Sequence, residues 1–257
     1  MNIFDLSGKK AIVTGASSGL GVQFAKALAA QGADVAILAR RLEKLDEVKA
    51  EIEALGVSCL AVKCDVLETE EIINAVAEVK SVFGRIDILV NNAGVANGIP
   101  AEKQKDDKWL RVIDTNLNSV FFFAREVGKV MIEQKFGRII NIGSIHSAVS
   151  MQEQTGMYIS SYAASKGGVL MLTKALATEW AKHGITVNAI GPSYFSTEMT
   201  GTFIENPEFA ENFSAYCPMG RPGEPGELNG ALIYFASDAS SYTTGQILFV
   251  DGGWTSI

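Results

Sequence analysis

The stretch Ala11-Ile-Val-Thr-Gly-Ala-Ser-Ser-Gly-Leu-Gly21 joins a short apolar run to a turn rich in glycine. Beyond it, apolar residues recur at helical spacing up to Gly32, a residue that suits the end of a helix: Leu20, Phe24, Ala27 and Leu28. The stretch therefore predicts a strand, a glycine turn and a helix. Glycines at 15, 19 and 21 let the backbone turn tightly and approach a pyrophosphate, whose charge a helix N-terminus favours. The spacing GxxxGxG differs from the GxGxxG fingerprint, so the turn alone does not establish dinucleotide binding.

The rest of the chain alternates short apolar runs with amphipathic segments. Strands are predicted at 35–38, 59–62, 88–90, 138–143, 186–190 and 246–250, and helices at 42–55, 69–83, 118–135 and 161–183. Continuous apolar strands that alternate with such helices imply a parallel sheet covered on both faces. We therefore expect an α/β fold, a single-domain Rossmann-like doubly wound parallel sheet with helices on both faces. Ligands of such sheets bind outside the carboxyl ends of the strands.

Length and composition fit one domain over residues 1–257. With 257 residues, 47% of them apolar, a single large core can form, and no segment has the composition of a linker. A dinucleotide-binding half is expected at about 1–140, and a catalytic and substrate-lid region at about 141–257. No apolar stretch is long enough to span a bilayer, and the start lacks the features of a signal peptide. We therefore expect a soluble, cytoplasmic protein without a membrane partner.

Cysteines, histidines and net charge argue against several other classes of protein. Cys59, Cys64 and Cys217 form no CxxC pair, and their odd number suits reduced thiols. With only His146 and His183 in addition, no metal site is expected. The net charge of −7 argues against nonspecific binding of nucleic acid.

Tyr162 and Lys166 are four residues apart, a spacing that places a phenol and an ammonium on one face of a helix. A free tyrosine has a pKa near ~10, too high for efficient proton exchange near neutrality. A cation ~5 Å away at an effective dielectric of ~20 favours the phenolate by roughly 3 kcal/mol, which lowers the pKa by about two units. Taken alone, this spacing more often belongs to a half-buried tyrosine and a solvated lysine without a catalytic role. Other residues must therefore show whether the pair transfers protons.

Further motifs follow the predicted strands in order. Asp65-Val66 follows the third strand, Asn91-Asn-Ala-Gly94 the fourth, and Ser144 the fifth, while Asn116 lies between the last two. Together with the glycine turn and the Tyr162/Lys166 pair, this set closely resembles the short-chain dehydrogenase/reductase family. The resemblance covers essentially the whole chain, and the conjunction of the motifs in this order is very specific.

The resemblance implies a role for each matching residue. Tyr162 would be the general acid that protonates a carbonyl oxygen during reduction, and Lys166 would lower its pKa and hold the nicotinamide ribose. Ser144 would hydrogen-bond the substrate oxygen, and Asn116 would hold a water that connects Lys166 to solvent. The cofactor-binding positions implied, besides Tyr162 and Lys166, are Gly15, Ser17, Ser18, Gly19, Leu20, Gly21, Arg40, Arg41, Asp65, Val66, Asn91, Asn92, Ala93, Gly94, Pro192, Phe195 and Thr197.

The choice of dinucleotide is expected just after the second strand, at Leu38-Ala-Arg-Arg41. Relatives that prefer NAD usually place an acidic residue there, whereas this chain has two arginines. An arginine fork can hold a 2′-phosphate with charge-assisted bonds, so NADP(H) is favoured and NAD(H) is left open. Ser18 stands where many NADP-dependent relatives carry a second basic residue.

Two departures from the family pattern bear on the substrate. Ser144 and Tyr162 are 18 positions apart, longer than the usual interval, so the segment 146–161 is expected to enlarge one wall of the pocket. Ser193 stands where relatives generally have glycine. Ser147 and Ser150 compete with Ser144 for the polarising role, and Ser144 is preferred because it directly ends the fifth strand.

The segment 196–217 resembles the family's mobile substrate lid, and two substrate classes stay open. Its aromatic residues suit a bulky apolar alcohol such as a hydroxysteroid. The stretches Tyr194-Phe-Ser-Thr-Glu-Met and Phe249-Val-Asp-Gly-Gly-Trp instead resemble the gluconate 5-dehydrogenase-like branch, whose substrates are polyols and sugar acids. Candidate substrate-contacting residues are His146, Tyr194 and Phe203.

Two further expectations concern function and assembly. A dinucleotide-binding regulatory or scaffold protein is the alternative to an enzyme, but the matching serine, tyrosine and lysine are all present, which favours catalysis.

Relatives commonly form tetramers by pairing their long helices, here 118–135 and 161–183, and by packing the C-terminus on a neighbour. We expect a homotetramer, with a dimer as the fallback.

Overall fold

The computed structural model describes residues 2–150, 158–197, 200, 213 and 215–257. Within these residues the centre of the molecule is a seven-stranded parallel sheet with the strand order β3-β2-β1-β4-β5-β6-β7. The strands are β1 Lys10–Thr14, β2 Asp34–Ala39, β3 Cys59–Lys63, β4 Ile88–Asn91, β5 Gly137–Ile142, β6 Ile185–Pro192 and β7 Ile247–Val250. All seven strands coincide with runs predicted from the sequence, to within one or two residues at each end.

Helices cover both faces of the sheet, as the alternating pattern predicted. Their bounds are α1 Gly19–Ala30, α2 Leu42–Glu53, α3 Thr69–Phe83, α4 Asp106–Ile113, α5 Ser119–Gln134, α6 Ser160–Trp180 and α7 Asn229–Ala236. Phe24 of α1 and Phe235 of α7 belong to one hydrophobic core, and Phe123 of α5 and Leu176 of α6 belong to another. The doubly wound α/β fold is therefore confirmed.

Strand β1 shows how the sheet separates the two cores. Val13 packs into the core of α1 and α7, whereas its neighbour Ile12 packs into the core of α5 and α6. Side chains of a strand alternate between the two faces, and here both faces are buried, which explains the uninterrupted apolar run.

Two helices were not predicted. In α4 the apolar residues Trp109, Val112 and Ile113 do recur at helical spacing, but eight residues make too short a window to identify a helix from the sequence. In α7 most residues are buried, so the apolar residues lie all round the helix and give no period. The ends of the long helices also differ slightly: α6 ends at Trp180 and continues as a single 3₁₀ turn, Ala181–His183.

The strand order predicts a cleft at the carboxyl ends of the central strands β1 and β4. The chain runs from β1 outward through β2 to β3, then crosses to β4 on the other side of β1. In parallel sheets the crevice at such a switch point, outside the carboxyl ends of the strands, is the usual ligand site. In the described part of the chain no helix combines the length and apolar character needed to cross a membrane.

Candidate active site

The glycine turn after β1 has no room for side chains and adopts a backbone conformation that favours glycine. Gly15 has φ of 66° and Gly19 has φ of 55°, both in the left-handed region that favours glycine. A Cβ on Gly15 would lie 2.8 Å from the Ala93 Cα, and one on Gly21 would lie 2.2 Å from the Gly15 carbonyl oxygen. The turn therefore packs tightly against the residues that follow β4. Gly21 serves that packing and does not line the cleft.

Asn92 holds the turn from the neighbouring strand. Its side-chain amide donates to the carbonyls of Thr14 at 2.9 Å and Gly15 at 3.2 Å, and the Thr14 hydroxyl accepts from the backbone N–H groups of Asn92 and Ala93. Asn91, also predicted to bind the cofactor, is placed differently. Its side chain is buried and donates to the Asn141 amide oxygen at 2.9 Å, so the structure turns it away from the cleft.

The two arginines after β2 stand at one end of the cleft. The Arg41 guanidinium reaches the Ser17 hydroxyl of the glycine turn, at 3.2 Å from its terminal nitrogen. Arg40 is exposed, and its guanidinium lies 3.9 Å from the Asp65 carboxylate. Ser18 and Val66 complete this end. The arrangement presents two cations beside backbone N–H groups, which suits a phosphorylated ribose.

Helix α6 carries Tyr162 and Lys166 to the opposite end of the cleft. The Lys166 ammonium donates to the Ile142 carbonyl, the last residue of β5, at 2.6 Å. It lies 5.6 Å from the centre of the Tyr162 ring. Burial lowers the pKa of Lys166 to about 8, because little solvent reaches the charged group. The predicted pair is therefore brought together as the spacing indicated.

The pKa of Tyr162 departs from the expectation based on Lys166 alone. Burial raises the pKa of the phenol, and a hydrogen bond with Ser144 acts in the opposite direction. Lys166 does not lower the pKa of the phenol, because its own pKa of about 8 leaves it largely uncharged at the higher pH at which the phenol ionises. At neutral pH Tyr162 is therefore protonated, the state that a general acid requires.

Ser144 is fixed by the turn that follows β5. Its hydroxyl accepts from the His146 N–H at 3.1 Å, and the Ser147 hydroxyl accepts from the Ser144 N–H at 3.2 Å. This reciprocal cap engages Ser147 in holding the backbone, and Ser150 is exposed. Of the three candidate serines, Ser144 is the one that lines the cleft and acts to lower the pKa of the Tyr162 phenol.

Asn116 lies behind the cleft in a π-helical turn, Asp114–Asn118, a feature often found at functional sites. Its amide oxygen accepts from the Val95 N–H at 2.8 Å, and its amide nitrogen donates to the Val95 carbonyl at 2.9 Å and to the Ser165 hydroxyl at 3.1 Å. Asn116 thus clamps the segment after β4 to the helix that carries Tyr162. Its role in holding a water beside Lys166 stays a prediction.

Aromatic side chains surround the far side of Tyr162. The His146 ring centre lies 6.2 Å from that of Tyr162 and 6.5 Å from that of Tyr194. Trp254, which was not predicted as a site residue, packs 5.6 Å from Tyr194. His146 and Tyr194 support this wall from behind and do not line the cleft. Phe203, Met151, Met157 and most of the predicted lid at 196–217 lie outside the described residues.

Burial settles the protonation of His146. It lowers the pKa of the imidazole, and a hydrogen bond with Val149 acts in the opposite direction. The Val149 carbonyl can only accept, so His146 Nδ1 carries the hydrogen and Nε2 of the neutral ring is an acceptor. Burial also raises the pKa of Tyr194, as does the nearby Tyr162. This wall therefore offers neutral hydrogen-bonding groups.

The cleft as a whole joins these parts into one cavity of about 540 Å³. Among the predicted cofactor residues, those that line it are Gly15, Ser17, Ser18, Gly19, Leu20, Arg40, Arg41, Asp65, Val66, Asn92, Ala93, Gly94, Tyr162, Lys166, Pro192, Phe195 and Thr197. The lining residues that were not predicted as site residues include Arg111, Thr115 and Thr200. Thr115 directly precedes Asn116, a signal that was available, whereas Arg111 lies on the unpredicted helix α4.

Comparison with known proteins agrees with this geometry. The family model described as Enoyl-(Acyl carrier protein) reductase matches residues 15–255. Gluconate 5-dehydrogenase of Gluconobacter oxydans is 40% identical over 254 residues, which cover 99% of this chain and 97% of that protein. Galactitol 2-dehydrogenase (L-tagatose-forming) of Cereibacter sphaeroides is 41% identical over 253 residues, 98% of this chain and 97% of that protein.

A solved structure is similarly close. The crystal structure of a gluconate 5-dehydrogenase from Burkholderia cenocepacia, in complex with NADP and tartrate, has a TM-score of 0.95 at 38% identity and covers 100% of this chain and 98% of that chain. The fold and cleft thus define an NAD(P)-dependent alcohol/ketone oxidoreductase. The chain belongs to the short-chain dehydrogenase/reductase family.

Proposed function

We propose that this protein interconverts a ketone and a secondary alcohol, with NADP(H) as the hydride carrier and a polyol or keto sugar acid as the substrate. The observation that carries the proposal is the placement of Ser144, Tyr162 and Lys166 at one end of a single cleft whose other end holds two arginines. Bound NADPH would supply the hydride to the carbonyl carbon.

The chain's own residues would handle the proton and the developing charge. Tyr162, protonated at neutral pH, gives its proton to the carbonyl oxygen as the C–O π bond breaks and takes a proton in the reverse direction. The Ser144 hydroxyl donates to the same oxygen and stabilises its negative charge. Lys166 stabilises the tyrosinate that remains, because a nearby ammonium favours the charged form of the phenol. Asn116 keeps α6 in place through Ser165, which donates to the Tyr162 carbonyl at 2.7 Å.

The preference for NADP(H) rests on the end of β2. Arg40 and Arg41 follow that strand directly, and the Arg41 guanidinium already faces the glycine turn through Ser17. A 2′-phosphate placed there would meet two cations and the N-terminus of α1. A free 2′-hydroxyl would instead need an acidic acceptor, and neither Arg40 nor Arg41 supplies one. The similar Burkholderia cenocepacia structure holds NADP, which supports the same choice.

The substrate class follows from the relatives and from the wall beside Tyr162. Two similar proteins are a gluconate 5-dehydrogenase and a galactitol 2-dehydrogenase. Ser144 lines the cleft beside Tyr162, and Thr115 and Thr200 add further hydroxyls to the lining. Such groups match the hydroxyls of a sugar chain, whereas a hydroxysteroid offers them few hydrogen-bonding groups.

The proposed function is tested by measuring NADPH absorbance with a panel of ketones. We expect turnover with 5-keto-gluconate or L-tagatose, and much lower kcat/KM with a 3-ketosteroid and a small diketone. A preference for the steroid would overturn the substrate class. NADPH binding without turnover on any keto sugar, keto acid or steroid would favour the alternative of a regulatory or scaffold protein on this fold.

Assembly and location form a second part of the proposal. We propose a homotetramer in the cytoplasm, since α5, α6 and the C-terminus leave large apolar side chains exposed: Phe121, Met171, Leu248 and Ile257. Cys59, Cys64 and Cys217 are all free thiols, which suits a reducing compartment. Pairing the long helices between subunits would cover part of that apolar surface.

A further inference from the structure

Ser193 carries a buried hydroxyl that finds no hydrogen-bond partner within the described residues. The Asn91 amide oxygen and the Thr186 hydroxyl share this property, but neither residue lines the cleft. Ser193 does line it, directly after Pro192 at the end of β6. A buried hydroxyl without a partner costs free energy, so its presence at a ligand site points to a group that the ligand brings.

The backbone of Ser193 is unstrained. Lys135 is the non-glycine residue with positive φ within the described part of the chain, so Ser193 adopts an ordinary conformation. Its N–H donates to the Val250 carbonyl at 3.3 Å, which ties it to β7. The backbone of Ser193 is therefore paired with β7, and the feature that remains to be explained is the hydroxyl.

The strand order tells which part of a dinucleotide would meet Ser193. Arg40 and Arg41 follow β2, and the glycine turn follows β1, so the ribose phosphate and pyrophosphate belong at that side. Ser144 and Ser193 follow the adjacent strands β5 and β6 at the other side, where the Gly143 N–H donates to the Ile190 carbonyl at 2.8 Å. The reactive ring must lie on this second side, since Tyr162 is there.

We propose that the Ser193 hydroxyl hydrogen-bonds the carboxamide of bound NADP(H) and thereby helps to orient the reactive ring. A carboxamide presents both a donor and an acceptor, and a hydroxyl can serve either. This inference rests on the proposed function, because it requires NADP(H) in the cleft. Ser193 and Phe195 also line a second, smaller cavity of about 280 Å³. The competing explanation is that the hydroxyl finds its hydrogen-bond partner in that cavity and does not contact NADP(H).

The test compares two ligands that differ at one end. NADPH has the carboxamide, and adenosine 2′,5′-bisphosphate has the phosphorylated adenosine end without it. Ser193→Ala should raise the Kd for NADPH about three- to tenfold, the loss of one net hydrogen bond, and leave the Kd for the bisphosphate unchanged. Ser196→Ala, which removes an exposed serine hydroxyl three residues further on, is the matched control and should change neither value.

Each outcome of these titrations decides the matter. An unchanged Kd for NADPH in Ser193→Ala would overturn the inference, because it would show that the hydroxyl does not contact the cofactor. Equal weakening of both ligands, or a clear drop in the melting temperature of the ligand-free variant, would also overturn it by showing a structural role. If the unmutated protein bound neither ligand, the proposed function itself would fail.

Discussion

Replacing Lys166 by methionine should stabilise the ligand-free protein at neutral pH although it removes activity. Burial lowers the pKa of Lys166 from 10.5 to about 8, so keeping its ammonium charged in the folded protein costs about 3 kcal/mol near pH 7. Methionine has a similar length and carries no charge. Part of the gain is offset by the lost hydrogen bond between the charged ammonium and the Ile142 carbonyl, about 1.5–3 kcal/mol.

The pH dependence separates this effect from other consequences of the substitution. Between pH 8 and pH 10.5 the unfolded chain holds the Lys166 proton more tightly than the folded protein does, so the contribution of Lys166 to stability rises with pH. The advantage of Lys166→Met should therefore shrink by about 1.4 kcal/mol between pH 7 and pH 9.

Urea unfolding of the ligand-free proteins at several pH values measures this difference. Lys174→Met is the matched control, since Lys174 is exposed on the same helix two turns further on, and its difference from the unmutated protein should not change with pH in this way. A Lys166→Met difference that stayed constant from pH 7 to pH 9 would refute the reasoning that burial of the charge dominates.

Three other outcomes follow from the site and the surface. Arg41→Ala should raise the KM for NADPH about tenfold and leave the KM for NADH nearly unchanged. Arg40→Ala should raise the KM for NADPH less, because the Asp65 carboxylate lies 3.9 Å from the Arg40 guanidinium and offsets part of its charge. Equal effects on both cofactors in steady-state kinetics would contradict the assignment. Asn116→Leu should lower kcat with little change in KM, because the Val95 and Ser165 bonds that hold α6 are lost; unaltered kcat would count against the clamp. Light scattering at micromolar concentration should give the mass of four 27.5 kDa chains, and the mass of a single fully active chain would exclude the tetramer.

Much of the fold was predictable because both kinds of element leave periodic patterns. The buried parallel strands appear as apolar runs, and helices such as α3 bury one stripe, as at Ile72, Val76 and Val79. Helix α4 spans eight residues, too few for its apolar spacing to identify a helix, and α7 buries most of its residues and leaves no stripe. The position of α7 depends on tertiary packing, which a single sequence does not express as a period.

The site shows a similar division between what spacing reveals and what burial decides. The spacing of Tyr162 and Lys166 predicted their proximity, but the direction of the Tyr162 pKa depends on the protein around the phenol and on Ser144. The Asn91-Asn92 pair marks the end of β4, yet successive side chains point in different directions. The sequence pattern could not tell that Asn92 holds the glycine turn while Asn91 turns toward Asn141.

The proton transfer assigned to Tyr162 is tested most directly by kinetics of Tyr162→Phe. With the keto substrate identified in the panel, kcat should fall by about 10²- to 10⁴-fold, the usual contribution of a general acid, because the ring stays and the proton is lost. The Kd for NADPH, measured by fluorescence, should stay within about twofold, since no more than one hydrogen bond is removed. A kcat near that of the unmutated protein would contradict the account at its centre.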